Sequence, residues 1–440
     1  MKKIKLFLLV LMVMFSGIIT VNANAETPEY EVIGGKKVLL ANGTEITIKA
    51  PKTAGMGALV TWNGGEIEIA ADTSIFGGKH NSTDKVSTKI TMEGGTVRNI
   101  FGGGLHISYV STAEIVVNGG KITSAIMGGG YEEFTECTEG DYNKVTEADV
   151  LNSTTKVDKT LIVVNGGNLD GAQVYGGGGA HSYTGNAEIY LHSFEGTVSY
   201  LTAGGSNGYT EKAHVELNDG KVGVLQGVNR GSMDQIYVAI QGGEVKNAYV
   251  GGENDPSVTG TFTASVMEIT DGKVENLYPG TNGVDKTTNA AISAKDSIEV
   301  LYNEDSVTNI DKSQFSEDSV IPMIDFIMVL ENAEETISVP AGMSFTSEEV
   351  EKLKKAINEE LEESMKEVED FYSDEEYTKK FDFTAPINND VKVYIKIVEL
   401  RENDGTVNPD TSDISIYAVV LSILLGTAGL GYTIKKRRFS

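Results

Sequence analysis

One short motif, an Asn, Asp, Glu or Gln followed by glycine, returns through the middle of the chain. It reads Asn63-Gly64-Gly65, Glu93-Gly94-Gly95, Asn118-Gly119-Gly120, Asn165-Gly166-Gly167, Glu195-Gly196, Asp219-Gly220, Gln241-Gly242-Gly243 and Asp271-Gly272. The last glycines fall at 65, 95, 120, 167, 196, 220, 243 and 272, and most intervals lie between 23 and 30 residues. Self-similarity near that period is the mark of a solenoid, in which each unit contacts only its neighbours. It constrains the fold more than any local propensity does.

Within a unit the glycine turn separates two β-rich runs. Ala113 to Gly130 is one example, where Ile115 and Val117 alternate with polar positions and Ile122 and Ile126 follow the turn. Alternation of period two means strands buried on one face. Asn-Gly and Asp-Gly tolerate positive φ, and the later glycine clusters near 102, 128 and 176 allow a second sharp bend. A unit this short has no room for a helix. It also buries too few apolar side chains to offset the entropy of ordering its backbone, so it must stack on its neighbours. The sequence therefore predicts a mainly β chain, with a parallel β-helix solenoid over residues 58–313. An N-terminal β cap is expected over 26–57, an acidic insertion over 131–159, and a closing end where Ala291 to Asn309 lose the glycine pattern.

After Ser313 the composition changes. Ile321 to Val329 reads as a strand, and Thr346-Ser347-Glu348-Glu349 is a capping box. The helix it opens is predicted to bury Val350, Leu353, Ile357, Leu361, Met365 and Val368, with Glu351–Lys355 and Glu362–Lys366 pairs on its wet face. Two more strands follow. This predicts a small α+β domain over residues 318–400, joined by a linker, 401–407, to the C-terminal segment 408–440.

The two ends carry export signals. Lys2, Lys3 and Lys5 precede an apolar run from Leu6 to Phe15, and Ala23-Asn24-Ala25 is a small-residue cleavage site, so residues 1–25 read as a signal peptide recognised at Ala23 and Ala25. Residues 414–434 are uncharged, long enough for a transmembrane helix, and followed by Lys435-Lys436-Arg437-Arg438. The formal charge of −27 becomes more negative once these cation-rich ends are removed. So acidic a chain is a poor partner for nucleic acid and favours cations or basic surfaces. The single cysteine, Cys137, allows no disulfide within the chain, so an exported protein of this kind depends on its core or on bound ions.

Just before the apolar segment stands Asn408-Pro409-Asp410-Thr411-Ser412. It resembles the Asn-Pro-x-Thr-x sorting signal read by class B sortases of Gram-positive bacteria, with Ser412 where many relatives have Gly or Asn. The resemblance implies that a sortase cysteine attacks the carbonyl of Thr411 and passes the chain to a peptidoglycan amine, the membrane tail serving only the precursor. A permanent single-pass anchor is the alternative. Physically the pentad suits an extended groove, because Pro409 fixes its own φ and biases Asn408 away from helix. The segment from Phe371 to Tyr394 resembles the tail of the Listeria–Bacteroides repeat, the internalin B-repeat type. That implies a β-grasp-like spacer or interaction module. Here a helix stands where the usual Gly-Trp-Tyr run leads into the motif, and one copy is present.

Candidate chemistry is sparse. Asn63, Glu93, Asn118, Asn165, Asp219 and Asp271 form a ladder of acids and amides, but turn chemistry accounts for residues directly before glycine. His80, His106 and His181 each follow a glycine cluster, with Tyr131 and Tyr209 at similar places in their units. Lined along one edge they form a stacked turn ladder or a transition-metal site. The acidic insertion lacks the register of an EF-hand, and as a protruding loop it is a place for a partner or Ca²⁺. No other cofactor is expected. The resulting expectation is a non-enzymatic, cell-wall-anchored surface protein that meets host or matrix ligands. The alternatives are a polysaccharide-active β-helix enzyme and a metal or haem uptake component.

Overall fold

Strand alternation and glycine turns set the architecture. The structure, a computed structural model, describes residues 25–131, 154–179, 181–206, 208–228, 232–252, 261–262, 264–278, 293–294, 298–310, 320–330, 333–361 and 366–399. The chain divides into two units, residues 1–300 with 305–320, and residues 301–304 with 321–440.

The first unit is built from two large sheets. One runs in the order β1 (Glu29–Ile33), β2 (Lys36–Leu40), β6 (Ser74–Phe76), β8 (Thr96–Phe101), β10 (Lys121–Met127), β12 (Gln173–Tyr175), β14 (Thr197–Thr202), β16 (Lys221–Val228), β18 (Glu244–Gly252), β21 (Lys273–Tyr278) and β24 (Val307–Ile310). The other runs β5 (Gly65–Ile69), β4 (Ala58–Trp62), β3 (Ile46–Lys49), β7 (Lys85–Met92), β9 (Ser108–Val117), β11 (Thr155–Val164), β13 (Tyr183–Leu191), β15 (Tyr209–Leu217), β17 (Ser232–Ile240) and β20 (Ala264–Ile269). From β6 to β18 the chain steps from one sheet to the other at every strand, and every pairing within a sheet is parallel. The mainly β expectation holds, with large parallel-rich sheets and a repeat-like strand arrangement. Two short strands, β19 (Thr261–Phe262) and β22 (Ser293–Ala294), pair apart from these sheets, and β23 (Ile298–Tyr302) spans the division between units.

Register turns the alternation into columns. Ile90, Ile115, Ile162, Ile189, Val215, Val238 and Met267 face one another along the second sheet, all at 1% exposure or less. Ile75, Ile100, Ile126, Val174, Leu201 and Leu225 do the same in the first. From Glu93-Gly94-Gly95 onward each glycine motif makes the turn between the sheets, with Gly95, Gly120, Gly167, Gly196, Gly220 and Gly243 at φ between 77° and 105°. The glycine clusters solve a different problem, close approach: a Cβ on Gly128 would stand 2.2 Å from the carbonyl oxygen of Gly176. Beside them Thr88 donates to Gly102 O at 2.7 Å and Thr160 to Gly176 O at 2.8 Å, satisfying buried hydroxyls.

Some boundaries differ from the sequence reading. The first motif, Asn63-Gly64-Gly65, is a hairpin turn in which Trp62 pairs with Gly65, so residues 58–69 form antiparallel strands, whereas parallel pairing already involves the expected cap, β2 with β6 and β3 with β7. Two residues cannot span a parallel crossover, whereas they suit a hairpin. The expected insertion also shrinks: Tyr131 bridges Leu105 and Gly179, and Thr155–Lys159 already pair within β11. Its acidic centre lies outside the described residues. Beyond the last glycine motif the pattern persists without glycine, because β24 pairs with β21 in parallel, Val274 facing Val307.

The second unit contains β25 (Val320–Leu330), β26 (Ala333–Pro340), helix α1 (Ser347–Leu361), β27 (Lys366–Tyr372) and β28 (Val391–Glu399). β25 and β28 pair in parallel at the centre, with β26 and β27 antiparallel on either side. Leu353, Ile357 and Leu361 pack with Phe326, Phe345, Phe371 and Phe383 in the core. Phe383 lies edge-on to Phe381 at 4.8 Å, to Phe371 at 5.1 Å and to Phe345 at 5.4 Å. The helix is shorter than predicted. Val368 belongs to β27, where its N–H donates to Asn358 Oδ1 at 2.7 Å, and the supposed Glu362–Lys366 pair therefore has its lysine on a strand. Met365 lies outside the described residues.

The expected signal peptide through Asn24, the linker 401–407, the pentad Asn408 to Ser412, and the apolar segment 414–434 with its basic tail also lie outside them. Among the described residues no helix is long and apolar enough to cross a membrane.

Candidate functional site

Strands that bury alternate residues present the others outward, and parallel register aligns those too. On the outward side of the second sheet Glu188, His214 and Tyr237 form one row, and Tyr190, Glu216, Ala239 and Glu268 form the next. His192 follows β13 and meets Asn218, whose Nδ2 lies 3.1 Å from His192 Nδ1. The rings lie close: Tyr190 to His192 at 6.3 Å, Tyr190 to His214 at 5.7 Å and His214 to Tyr237 at 5.0 Å between centroids.

Carboxylates hold these rings. Tyr237 donates to Glu268 Oε2 at 2.6 Å, and His214 Nε2 stands 2.9 Å from Glu216 Oε1, a contact that requires the proton on Nε2 because a carboxylate only accepts. Lys159 Nζ lies 2.7 Å from Glu188 Oε1. Burial, reinforced by Glu188 and Glu216, pushes the Tyr190 phenol above its usual range. Burial and the nearby Glu268 do the same to Tyr237. Both phenols remain neutral donors at any physiological pH. His192 is shifted the other way, its pKa lowered by burial against the opposing pull of Glu216. The strip combines half-buried aromatic faces with oriented acceptors, the chemistry that receives hydroxyl-bearing or cationic ligands.

A second tyrosine row lies nearer the strand starts. Lys85 Nζ is 4.4 Å above the Tyr109 ring and 2.9 Å from Asp158 Oδ2, and Tyr109 donates to the same carboxylate at 3.0 Å. Tyr183 donates to Glu211 Oε1 at 2.5 Å and stacks on Tyr209 at 6.0 Å. On the first sheet a groove of 520 Å³ is lined by Lys221, Gly223, Glu244, Lys246, Lys273 and Asp305, among others. Its charges alternate, and Lys221 pairs with Glu244 at 3.1 Å.

The residues singled out from sequence fall into separate places. His80 bridges Leu105, which bridges Tyr131, so His106 lies one position beyond the row and His181 two positions beyond Gly179. His80 and His106 meet, with Nε2 and Nδ1 3.2 Å apart. Tyr209 sits instead in the strand row with Tyr183. The acid and amide ladder is engaged in turns: Asn165 Nδ2 donates to Asn118 Oδ1 at 2.9 Å, and Asp219 Oδ1 accepts from Gly220 N–H at 2.7 Å. Among the described residues no three His, Cys, Asp or Glu side chains converge as a metal site. Sequence reasoning missed His192 and His214. The signal was there: Glu188-Ile189-Tyr190-Leu191-His192 and His214-Val215-Glu216-Leu217-Asn218, set in register, put every polar or aromatic residue on one side.

No family model matches the chain, nor does any curated protein or solved structure.

Proposed function

We propose that this chain is a wall-anchored surface protein of a Gram-positive bacterium whose repeat region is a parallel β-helix with a ligand-binding flank. The observation that carries the binding role is the outward strip of Tyr190, His192, His214 and Tyr237, braced by Glu188, Glu216 and Glu268. Alternation of the chain between two parallel sheets, with unbroken apolar columns, supports the β-helix reading. In the second unit the sheet order β26-β25-β28-β27, with parallel central strands and one helix, supports a β-grasp-like module.

Anchoring rests on the sequence at the two ends. After export and removal of residues 1–25, a class B-type sortase cleaves after Thr411 and joins that residue to peptidoglycan, while 414–434 and the basic tail hold the precursor in the membrane. The role is binding rather than catalysis, since the acids that precede glycines serve the turns. Mass spectrometry of wall-released protein tests the first part: a C-terminus at Thr411 carrying a peptidoglycan fragment supports it, and an intact tail in the membrane fraction refutes it. Host matrix proteins and glycans arrayed against the secreted chain test the second. Retention that falls at least tenfold in Tyr190→Ala and Tyr237→Ala supports the strip, whereas product formation from pectin, alginate or glycosaminoglycan would replace binding with catalysis.

A further inference from the structure

His80 and His106 stand on successive turns, each just after a glycine cluster. The parallel bridge from His80 to Leu105 sets the register, and His106, at φ 57°, brings its ring centroid to 5.0 Å from that of His80. The facing atoms, His80 Nε2 and His106 Nδ1, are 3.2 Å apart. The side-chain amide of Asn81, itself at φ 51°, is a third neighbour, 2.9 Å from the same Nε2. A neutral imidazole nitrogen offers one proton or one lone pair, so it satisfies only one of these neighbours fully. Three donor atoms crowd one point.

That arrangement matches ligation. Two imidazoles bound to one tetrahedral ion through bonds of about 2.0–2.1 Å place their nitrogens about 3.3 Å apart. The Asn81 amide presents oxygen in place of nitrogen by a half-turn of its terminal group, which supplies a third donor. On the far side of the ring, Glu31 Oε2 lies 3.9 Å from His80 Nδ1, too long for a hydrogen bond but near enough to add negative potential beside the ring. The neighbouring Lys79 cation is already neutralised by Glu26 at 2.7 Å and Asp84 at 2.9 Å. We propose that His80 Nε2 and His106 Nδ1, with Asn81 as the third donor, bind one divalent transition-metal ion of the Zn²⁺, Ni²⁺ and Cu²⁺ class. With two imidazoles rather than three the site keeps solvent positions open, so the ion exchanges. His181 plays no part.

Titration of the untagged secreted chain with ZnCl₂ at pH 7.5 tests this, with Cu²⁺ electron paramagnetic resonance as the second readout. The wild type is expected to take up one equivalent that His80→Ala and His106→Asn each weaken at least tenfold, while His181→Ala leaves it unchanged. Asn at 106 retains a residue that tolerates the left-handed backbone, so the loss is not a folding defect; circular dichroism of each variant verifies this. Nitrogen hyperfine splitting from two imidazoles is expected on Cu²⁺. Wild-type binding no tighter than that of His80→Ala or His106→Asn, or equal loss in His181→Ala, overturns the assignment. So does a Cu²⁺ spectrum with fewer than two coupled imidazoles.

Discussion

Substituting Gly128 by alanine isolates the contact between successive turns. Gly128 is not in the left-handed region, so alanine meets no backbone strain of its own. In open space the change would stabilise the chain by about 0.4–1 kcal/mol, because alanine restricts the unfolded state. The structure reverses the sign. A Cβ at this position stands 2.2 Å from Gly176 O and 2.7 Å from the Cβ of Thr160, and the first of these is backbone that cannot rotate away. Forcing a methyl into such packing costs about 1–3 kcal/mol, against the smaller entropic gain. Urea unfolding followed by Trp62 fluorescence measures the result, since the chain's single tryptophan lies in β4 of the first unit. The midpoint is expected to fall by an amount equivalent to about 1–2 kcal/mol. A midpoint equal to or above that of the wild type would mean that Gly128 and Gly176 do not touch, and the parallel register would be wrong there.

Phe383→Ala should destabilise the second unit by about 3–5 kcal/mol, read as one lowered transition in calorimetry while the Trp62 signal holds its midpoint. His192 titrates with a sign fixed by its environment: its folded pKa lies below the unfolded value of 6.5, so its contribution is complete above pH 6.5 and is lost as pH falls through the folded pKa. His192→Asn should therefore flatten the decline of first-unit stability on acidification, and an unchanged slope would count against the burial of that ring. Tyr237→Phe removes the donor to Glu268 and should cost about 1.5–3 kcal/mol in the urea assay, because the acceptor is charged. Thr411→Ala should leave the protein in the membrane fraction, detected by immunoblot of wall and membrane extracts.

Much of the fold was legible because the repeat ties local pattern to long-range contact. Ile115, Val117, Ile122 and Ile126, selected by alternation about one glycine turn, are all at 0% exposure. What failed was local ambiguity. Val368 continues a helical spacing from Leu361, yet it is equally a buried position of β27, and only the sheet decides between them. The strand Ala333–Pro340 was overlooked because three of its first four residues are polar and its apolar residues come late. Asn63-Gly64-Gly65 has the composition of the later motifs but joins antiparallel strands. The histidines show the same limit. Those beside glycine clusters drew attention, whereas His192 and His214 become neighbours only when β13 and β15 are registered, a fact that no single unit contains.

The 26-residue offset that pairs Tyr183 with Tyr209 and Leu191 with Leu217 has a genetic corollary. An in-frame loss of residues 183–208 would bring Tyr209 to the place of Tyr183 and still match like with like along β11. Chain length and surface chemistry are then separately heritable. Recombination between neighbouring turns shortens or extends the array in whole steps, and point changes at outward positions redecorate it while the interior stays as it was.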